Sequence, residues 1–429
     1  MLPTVVVYSQ ILSRLAIGLD KKPELIAHLA RQSADEGEGR ETLPERAANI
    51  VRQAFVTCLN DRTGAVAGQR DGQPEGKKIG IYKIANLCLK ILFQCRKTRN
   101  AEQIFVNIYN QSPPLSLYPK AQRVTYLYYL GRFLFSNNHF YRAQLALQAA
   151  YEQCHMSSAK QRRIILVYLV SSNTILGRFP SQQLISRPEA KSFDILFSPL
   201  CRAITKGDLV TLHRLLADDA EHVRWFRGYR ILLQLRNRCE VLAWRSLARR
   251  VFLISGFQGD PTSRKAPTFS LNDLLAALQY LYRGNAVSSS TRGGPPGQRH
   301  TNWIFMNDNN KKAGAYVDPD LAGTKDIGEG ASIPDMLEVE SILSSLIDQG
   351  LLNGFISHRQ LRFAIVGAKK KGAIAAGFPN VWQVMDAKSG NEVPGWVKGS
   401  RHTVQNLGQR RLGPGMVVNL SGAKPVGVR

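Results

Sequence analysis

The sequence predicts a mainly α-helical protein: a TPR-like helical-repeat solenoid followed by a winged-helix subdomain, with a disordered insertion and tail. Three observations predict it. From Ile79 to about Gln183, apolar residues recur at spacings of three and four in one segment after another, which is the mark of amphipathic helices. Residues 121–155 read as a helix–turn–helix of about 35 residues, with small residues where two helices must approach. Residues 270–366 read as two helices followed by an alternating, β-branched and aromatic stretch, the order of a winged helix.

Taken in order, residues 1–60 read as N-terminal helices of the solenoid, and 61–78 (DRTGAVAGQRDGQPEGKK) as a flexible loop. The apolar run in MLPTVVVYSQILSRLAIGLD is broken by Ser9, Gln10 and Arg14, so an amphipathic element is expected there rather than a leader. The longest uninterrupted apolar stretch, Ile164 to Val170, is far short of the roughly 20 residues of a spanning helix, and no membrane span is expected.

Residues 79–240 read as the TPR-like repeats. Ile84, Leu87, Cys88, Ile91 and Leu92 share one helix face. Val124, Tyr128, Leu130 and Phe133–Phe135 form another helix, which Ser136–Asn138 break before the helix of Phe140, Ala143, Leu147, Ala150 and Tyr151. Gly131, Ala143 and Ala150 mark the close approach. Helices over 161–177 and 188–207, and apolar patterns over 208–255, continue the array.

Residues 241–368 read as the winged-helix part. Its helices are placed at 270–283, with Ser270 as N-cap, and at 335–350, stopped by Gly350. A two-stranded wing over 351–366 turns near His358–Gln360. Residues 285–334, rich in Ser, Gly, Asn and Asp, read as a disordered insertion, and 369–429 as a basic flexible tail.

No catalytic constellation appears. There is no phosphate-binding Gly-rich loop, no nucleophile elbow, and no pair of His at a spacing of three or four. The six Cys stand at 58, 88, 95, 154, 201 and 239, none in a Cys-x-x-Cys pair, as expected of buried free thiols. No enzyme, metal or cofactor is expected.

Charge is the informative quantity. Lys plus Arg number 57 and Asp plus Glu 32, a net charge of +25, which points to a polyanionic partner. Eight Arg lie between Arg224 and Arg250 with only Glu240 among them. Arg238, Arg245 and Arg249, spaced seven and four, share a helix face, and with Arg250 they are candidates for a surface that meets an acidic partner. Arg359 and Arg362 on the wing, Lys369, Lys370 and Lys371 beyond it, and Arg410 and Arg411 in the tail are candidate contacts to an RNA backbone, without sequence preference. The winged-helix helix over 335–350 carries Asp335, Glu338, Glu340 and Asp348 and no Lys or Arg. Carboxylates facing phosphates repel, so it is not expected to read DNA. Glu338, Ile342 and Leu346 on it are candidate contacts to a protein partner.

Several motifs carry a resemblance. They are Ala121-Gln-Arg-Val-Thr-Tyr-x-Tyr-Tyr-x-Gly-Arg132, Cys154-His155, the Ser157–Leu169 run, Glu340-Ser-Ile-Leu-x-x-Leu-Ile347 and Gly354-Phe-Ile-Ser-His358, with Arg245, Leu247, Arg250 and Val251. Over about 80–255 and 268–366 the chain resembles the PCI-domain subunits of the TREX-2 mRNA export complex, the PCI domain-containing protein 2 family. The resemblance implies a non-catalytic scaffold. It pairs through its winged helix with a larger PCI-type subunit of the Sac/GANP family. It is stabilised by a small, acidic, disordered DSS-type subunit, and it offers mRNA a basic platform at the inner face of the nuclear pore. Members usually carry more chain before the first helix, so a shortened N-terminus is expected. The alternatives are a subunit of the sister complex, associated with the COP9 signalosome and splicing, and a stand-alone RNA-binding protein acting through its tail.

Overall fold

The computed structural model describes residues 2–26, 42–61, 69–70, 73–218, 220, 222–259, 265–290, 335–388, 392–393 and 396–397. They fall into two units: one within 1–165 together with the strands beyond 389, and one over 166–388. The fold is a helical repeat array followed by a winged helix.

The first unit holds α1 (Leu2–Asp20), α2 (Leu43–Leu59), α3 (Ile81–Gln94), α4 (Arg99–Gln111), α5 (Lys120–Ser136) and α6 (Phe140–Gln153). The helix α1 has the length and apolarity of a membrane span, yet it packs on α2 and α3 with Val6, Ser9, Ser13 and Ala16 buried. Two short strands, β1 (Gln69–Arg70) and β2 (Gln73–Pro74), and a 3₁₀ turn at Gly76–Gly80 occupy the expected loop. Its two ends are tied by the Lys77 N–H, which donates to Asp61 Oδ2 at 2.8 Å. The expected helix–turn–helix is the α5–α6 pair. A Cβ on Gly131 would sit 2.5 Å from Leu147 Cγ, so only glycine lets these helices close to this distance. Tyr82, edge-on to Tyr118 at 4.4 Å and to Tyr126 at 4.9 Å, fills the core beside them. The strands β6 (Glu392–Val393) and β7 (Trp396–Val397) pair with each other.

The helix α7 (Ala159–Ile175) carries the chain into the second unit. Its Ser171, Ser172 and Thr174 are fully buried but satisfied, each hydroxyl donating to the carbonyl four residues earlier. There follow α8 (Gln182–Ile185), α9 (Phe193–Lys206), α10 (Leu209–Leu215), α11 (Val223–Gly228) and the 24-residue α12 (Leu232–Ser255). The expected boundary at 240 falls inside α12, whose apolar face runs unbroken from Leu232 to Phe252.

The winged helix consists of β3 (Thr268–Ser270), α13 (Leu271–Ser290), α14 (Met336–Asp348), β4 (Gly354–Ser357) and β5 (Arg362–Ile365). Its sheet has three antiparallel strands in the order β3-β5-β4, where the sequence pattern predicts two. Thr268–Ser270 is too short to show an alternation, but Phe269 pairs with Phe363 in register and stacks on it at 5.1 Å. The insertion does not begin at 285, since α13 runs on to Ser290. The rest of it, 291–334, lies outside the described residues.

Nor does the chain become a tail at 369. It forms α15 (Ala368–Lys371), α16 (Ala373–Gly377) and α17 (Val381–Lys388). Ala376, Phe378 and Val381 are buried, with the Phe378 ring 5.6 Å from that of Phe252 and Arg178 stacked 4.1 Å over Trp382. Apolar burial offsets the glycine content that makes this stretch look unstructured.

Candidate functional site

One face of α12 and the segment after the wing enclose a groove of about 1280 Å³. Arg245, Arg249 and Arg250 line it from α12, and Lys370 and Lys371 from α15. Among the described residues no carboxylate lines it. The helical period explains the first wall. Leu242, Arg245 and Arg249, spaced three and four, run along the side of α12 that lines the groove, while Leu247 and Val251 are buried and Arg249 and Arg250 stay exposed. For the second wall, burial of Ala376, Phe378 and Val381 anchors the chain, and the exposed lysines of α15 stand at the rim. Like charges gathered around one concavity raise the local potential that draws a polyanion.

Arg245 has a different role from that expected of it. Its Nη2 donates to the carbonyl oxygens of Phe378 at 3.0 Å and Pro379 at 2.5 Å. Burial, and then the neighbouring Arg249, pull its pKa down to about 10, still well above neutrality. Arg245 therefore builds the groove by fastening one wall to the other, rather than facing a partner.

The rest of the arginine run is divided. Arg238 is exposed but does not line the groove. Asp218, outside the run in sequence, binds Arg227 at 2.9 Å and Arg236 at 3.1 Å. The hydrogen bond from Arg236 does most to lower the Asp218 pKa. Glu240 turns instead to His213 at 3.5 Å, and that interaction lowers its pKa despite burial. The aromatic residues that lie among these arginines are packing: Trp225 lies 4.6 Å from Tyr229 and 5.5 Å from Phe226, with Phe193 and Phe197 around it.

On α14, Leu346 is 2% exposed and belongs to the core, so it offers nothing to a partner. Its place in the pattern, three residues after Leu343, is the inward stripe of α14. Ile342 is half-buried and Glu338 exposed. Asp335 and Glu340 serve the structure. Asp335 caps the helix, its Oδ1 accepting the Glu338 N–H at 2.8 Å, and Glu340 holds His358 of the wing at 2.7 Å. Arg359 and Arg362 are exposed, as are Lys369, Lys370 and Lys371; Arg410 and Arg411 lie outside the described residues. Among the described residues no cluster of His, Cys, Asp or Glu is placed to hold a metal ion. Burial pushes the Cys88 and Cys201 thiols up to about 12, which keeps them protonated near neutral pH.

No family model matches the chain. It is similar to a PCI domain-containing protein of Schizosaccharomyces pombe, 28% identical over 353 residues, which cover 82% of this chain and 64% of that protein. PCI domain-containing protein 2 of Xenopus laevis is 25% identical over 337 residues, 78% of this chain and 66% of the relative. A protein CSN12 homolog of Neurospora crassa is 32% identical over 219 residues, 50% and 45% of the two chains. The chain thus spans just under two thirds of the length of the first two relatives and less than half of the third. Together with the helical repeats and the winged helix, these similarities support a PCI-domain protein.

Proposed function

We propose that the chain is a non-catalytic scaffold subunit of a nuclear mRNA export assembly of the TREX-2 type, acting at the inner face of the nuclear pore. The observation that carries the RNA-binding part is the groove walled by Arg249, Arg250, Lys370 and Lys371 without a carboxylate among its described residues. Cations held on a packed frame suit a phosphate backbone, whose neutralisation releases counterions. Arg359 and Arg362 extend the positive surface along the wing. The exposed Glu338 and Leu337 on α14 suit a protein partner, here the winged helix of a larger PCI-type subunit of the Sac/GANP family. Arg238 and the Arg224 neighbourhood suit the carboxylates of a small DSS-type subunit.

A second reading is favoured by the CSN12 names among the relatives. In it the same scaffold serves the complex associated with the COP9 signalosome and splicing. Affinity purification of the tagged chain from nuclear extract, with mass spectrometry, separates the two. Recovery of the large export scaffold together with the small acidic subunit supports the first reading, and recovery of signalosome or splicing subunits replaces it by the second. A stand-alone RNA binder would keep neither set. Deleting the tail tests this third reading, since a scaffold keeps its protein partners and a tail-driven binder loses its only interaction; the cut belongs after Lys388, because Phe378 and Val381 are part of the packed unit.

A further inference from the structure

The lysine helix α15 has a second face. Beyond it lies a hollow of about 760 Å³, lined among others by Lys265, Pro267, Phe355, Val366, Lys369 and Lys370. Like the groove, it has no carboxylate among the described residues of its wall. Phe355 is the unusual member. It stands in the middle of β4 and is 56% exposed. Strand alternation accounts for this. Ile356 pairs with Phe363 on the core side of the sheet, whereas Phe355 pairs with Ala364 on the other. Ala364 contributes only a methyl group, so the sheet leaves the Phe355 ring uncovered.

One exposed aromatic residue is ordinary on a protein surface. An exposed ring in a hollow rimmed by lysine ammonium groups is a combination with specific chemistry. The ammonium groups attract phosphates, and the ring offers a π-face to a base. A duplex keeps its base faces inside its own stack and has none to offer. An acidic peptide answers the lysines and leaves the ring without a counterpart. The geometry points to single-stranded nucleic acid: we propose that Phe355 is a stacking platform for one base, while Lys369 and Lys370 hold the flanking backbone. Because every base has a π-face, such a seat is tolerant of sequence. The inference rests on the proposed RNA-binding role and sharpens it to a strand state and a site.

The test uses the full chain and fluorescence anisotropy with two labelled probes of equal length, an oligouridine and its abasic sugar-phosphate counterpart. Phe355→Ala is expected to weaken oligouridine binding by about 5- to 150-fold and to leave the abasic strand unchanged. Phe355→Trp is expected to retain affinity, with its added indole fluorescence quenched by oligouridine and not by the abasic strand. Lys369→Glu with Lys370→Glu is expected to weaken both probes. If Phe355→Ala leaves both probes unchanged, or weakens both alike, the stacking seat is wrong even where the lysine variants still reduce binding and the RNA role stands. If polyglutamate competes as well as oligouridine of equal charge, the surface is an acidic-peptide site and the inference falls. If the wild-type chain binds neither probe, the RNA role falls with it.

Discussion

Arg245 shows how a charge can serve architecture. Its guanidinium is fixed by the Phe378 and Pro379 carbonyls, and removing it leaves those acceptors without their donor. Arg245→Ala should cost about 1–3 kcal/mol in urea unfolding and should widen the groove, with RNA affinity falling as a consequence. An unchanged unfolding midpoint would mean that the fastening is not needed. Leu346 gives the plainer case. It is buried to 2% exposure between α14 and its neighbours. Leu346→Ala should destabilise by about 2–5 kcal/mol, whereas Glu338→Ala on the exposed face should leave the midpoint in place and weaken only a protein partner, as read by co-purification.

At the scale of elements, the junction of α9 and α10 depends on Gly207. It closes α9 with φ +69°, and a Cβ there would lie 2.5 Å from the Leu247 nitrogen on α12. Gly207→Ala forces a left-handed side chain and a backbone clash at once. A destabilisation of about 1–3 kcal/mol from the backbone conformation alone is the expected minimum, measured by thermal or urea unfolding. The long helices are legible in the sequence because their apolar stripes repeat: α5, α6, α7 and α14 lie where the pattern of threes and fours puts them, and α13 begins there but runs on to Ser290. Where sequence pattern and structure part, the reason is physical. The strand β3 is three residues long and depends on pairing with Phe363, a partner far away in the chain. Helices α16 and α17 are too short to show a helical period of their own, and they are fixed by the packing of Phe378 on Phe252 of α12 and of Val381 beside Gly177. The groove itself is not visible in the sequence as a site. In the sequence, Arg249 and Arg250 belong to an arginine-rich surface expected to meet a protein, and Lys370 and Lys371 to an RNA-binding segment. Only the return of the chain along α12 brings the two pairs to one concavity.

At the scale of the whole molecule, the excess of +25 charges is unevenly distributed in its use. Part is neutralised within the fold, as with Arg227 and Arg236 on Asp218, and part is gathered into the groove. Apolar surface is also exposed, at Tyr8, Ile11 and Leu15 on α1 and at Ile254, Leu337 and Phe355 in the second unit. A scaffold whose partners cover such residues should associate with itself when alone. Light scattering coupled to size exclusion should find the isolated chain self-associated at high concentration, and a clean monomer there would contradict this. The most direct test of the basic groove is a titration of the full chain with a single-stranded oligonucleotide over a range of salt. The wild type is compared with Arg249→Glu, Arg250→Glu, Lys370→Glu and Lys371→Glu combined, after thermal unfolding shows that the fold is intact. The expected result is weaker binding, with the slope of log K against log salt reduced in magnitude by about 3, roughly 0.7 for each phosphate that is no longer neutralised. An unchanged affinity and slope would contradict the proposal that the groove is an RNA-binding site.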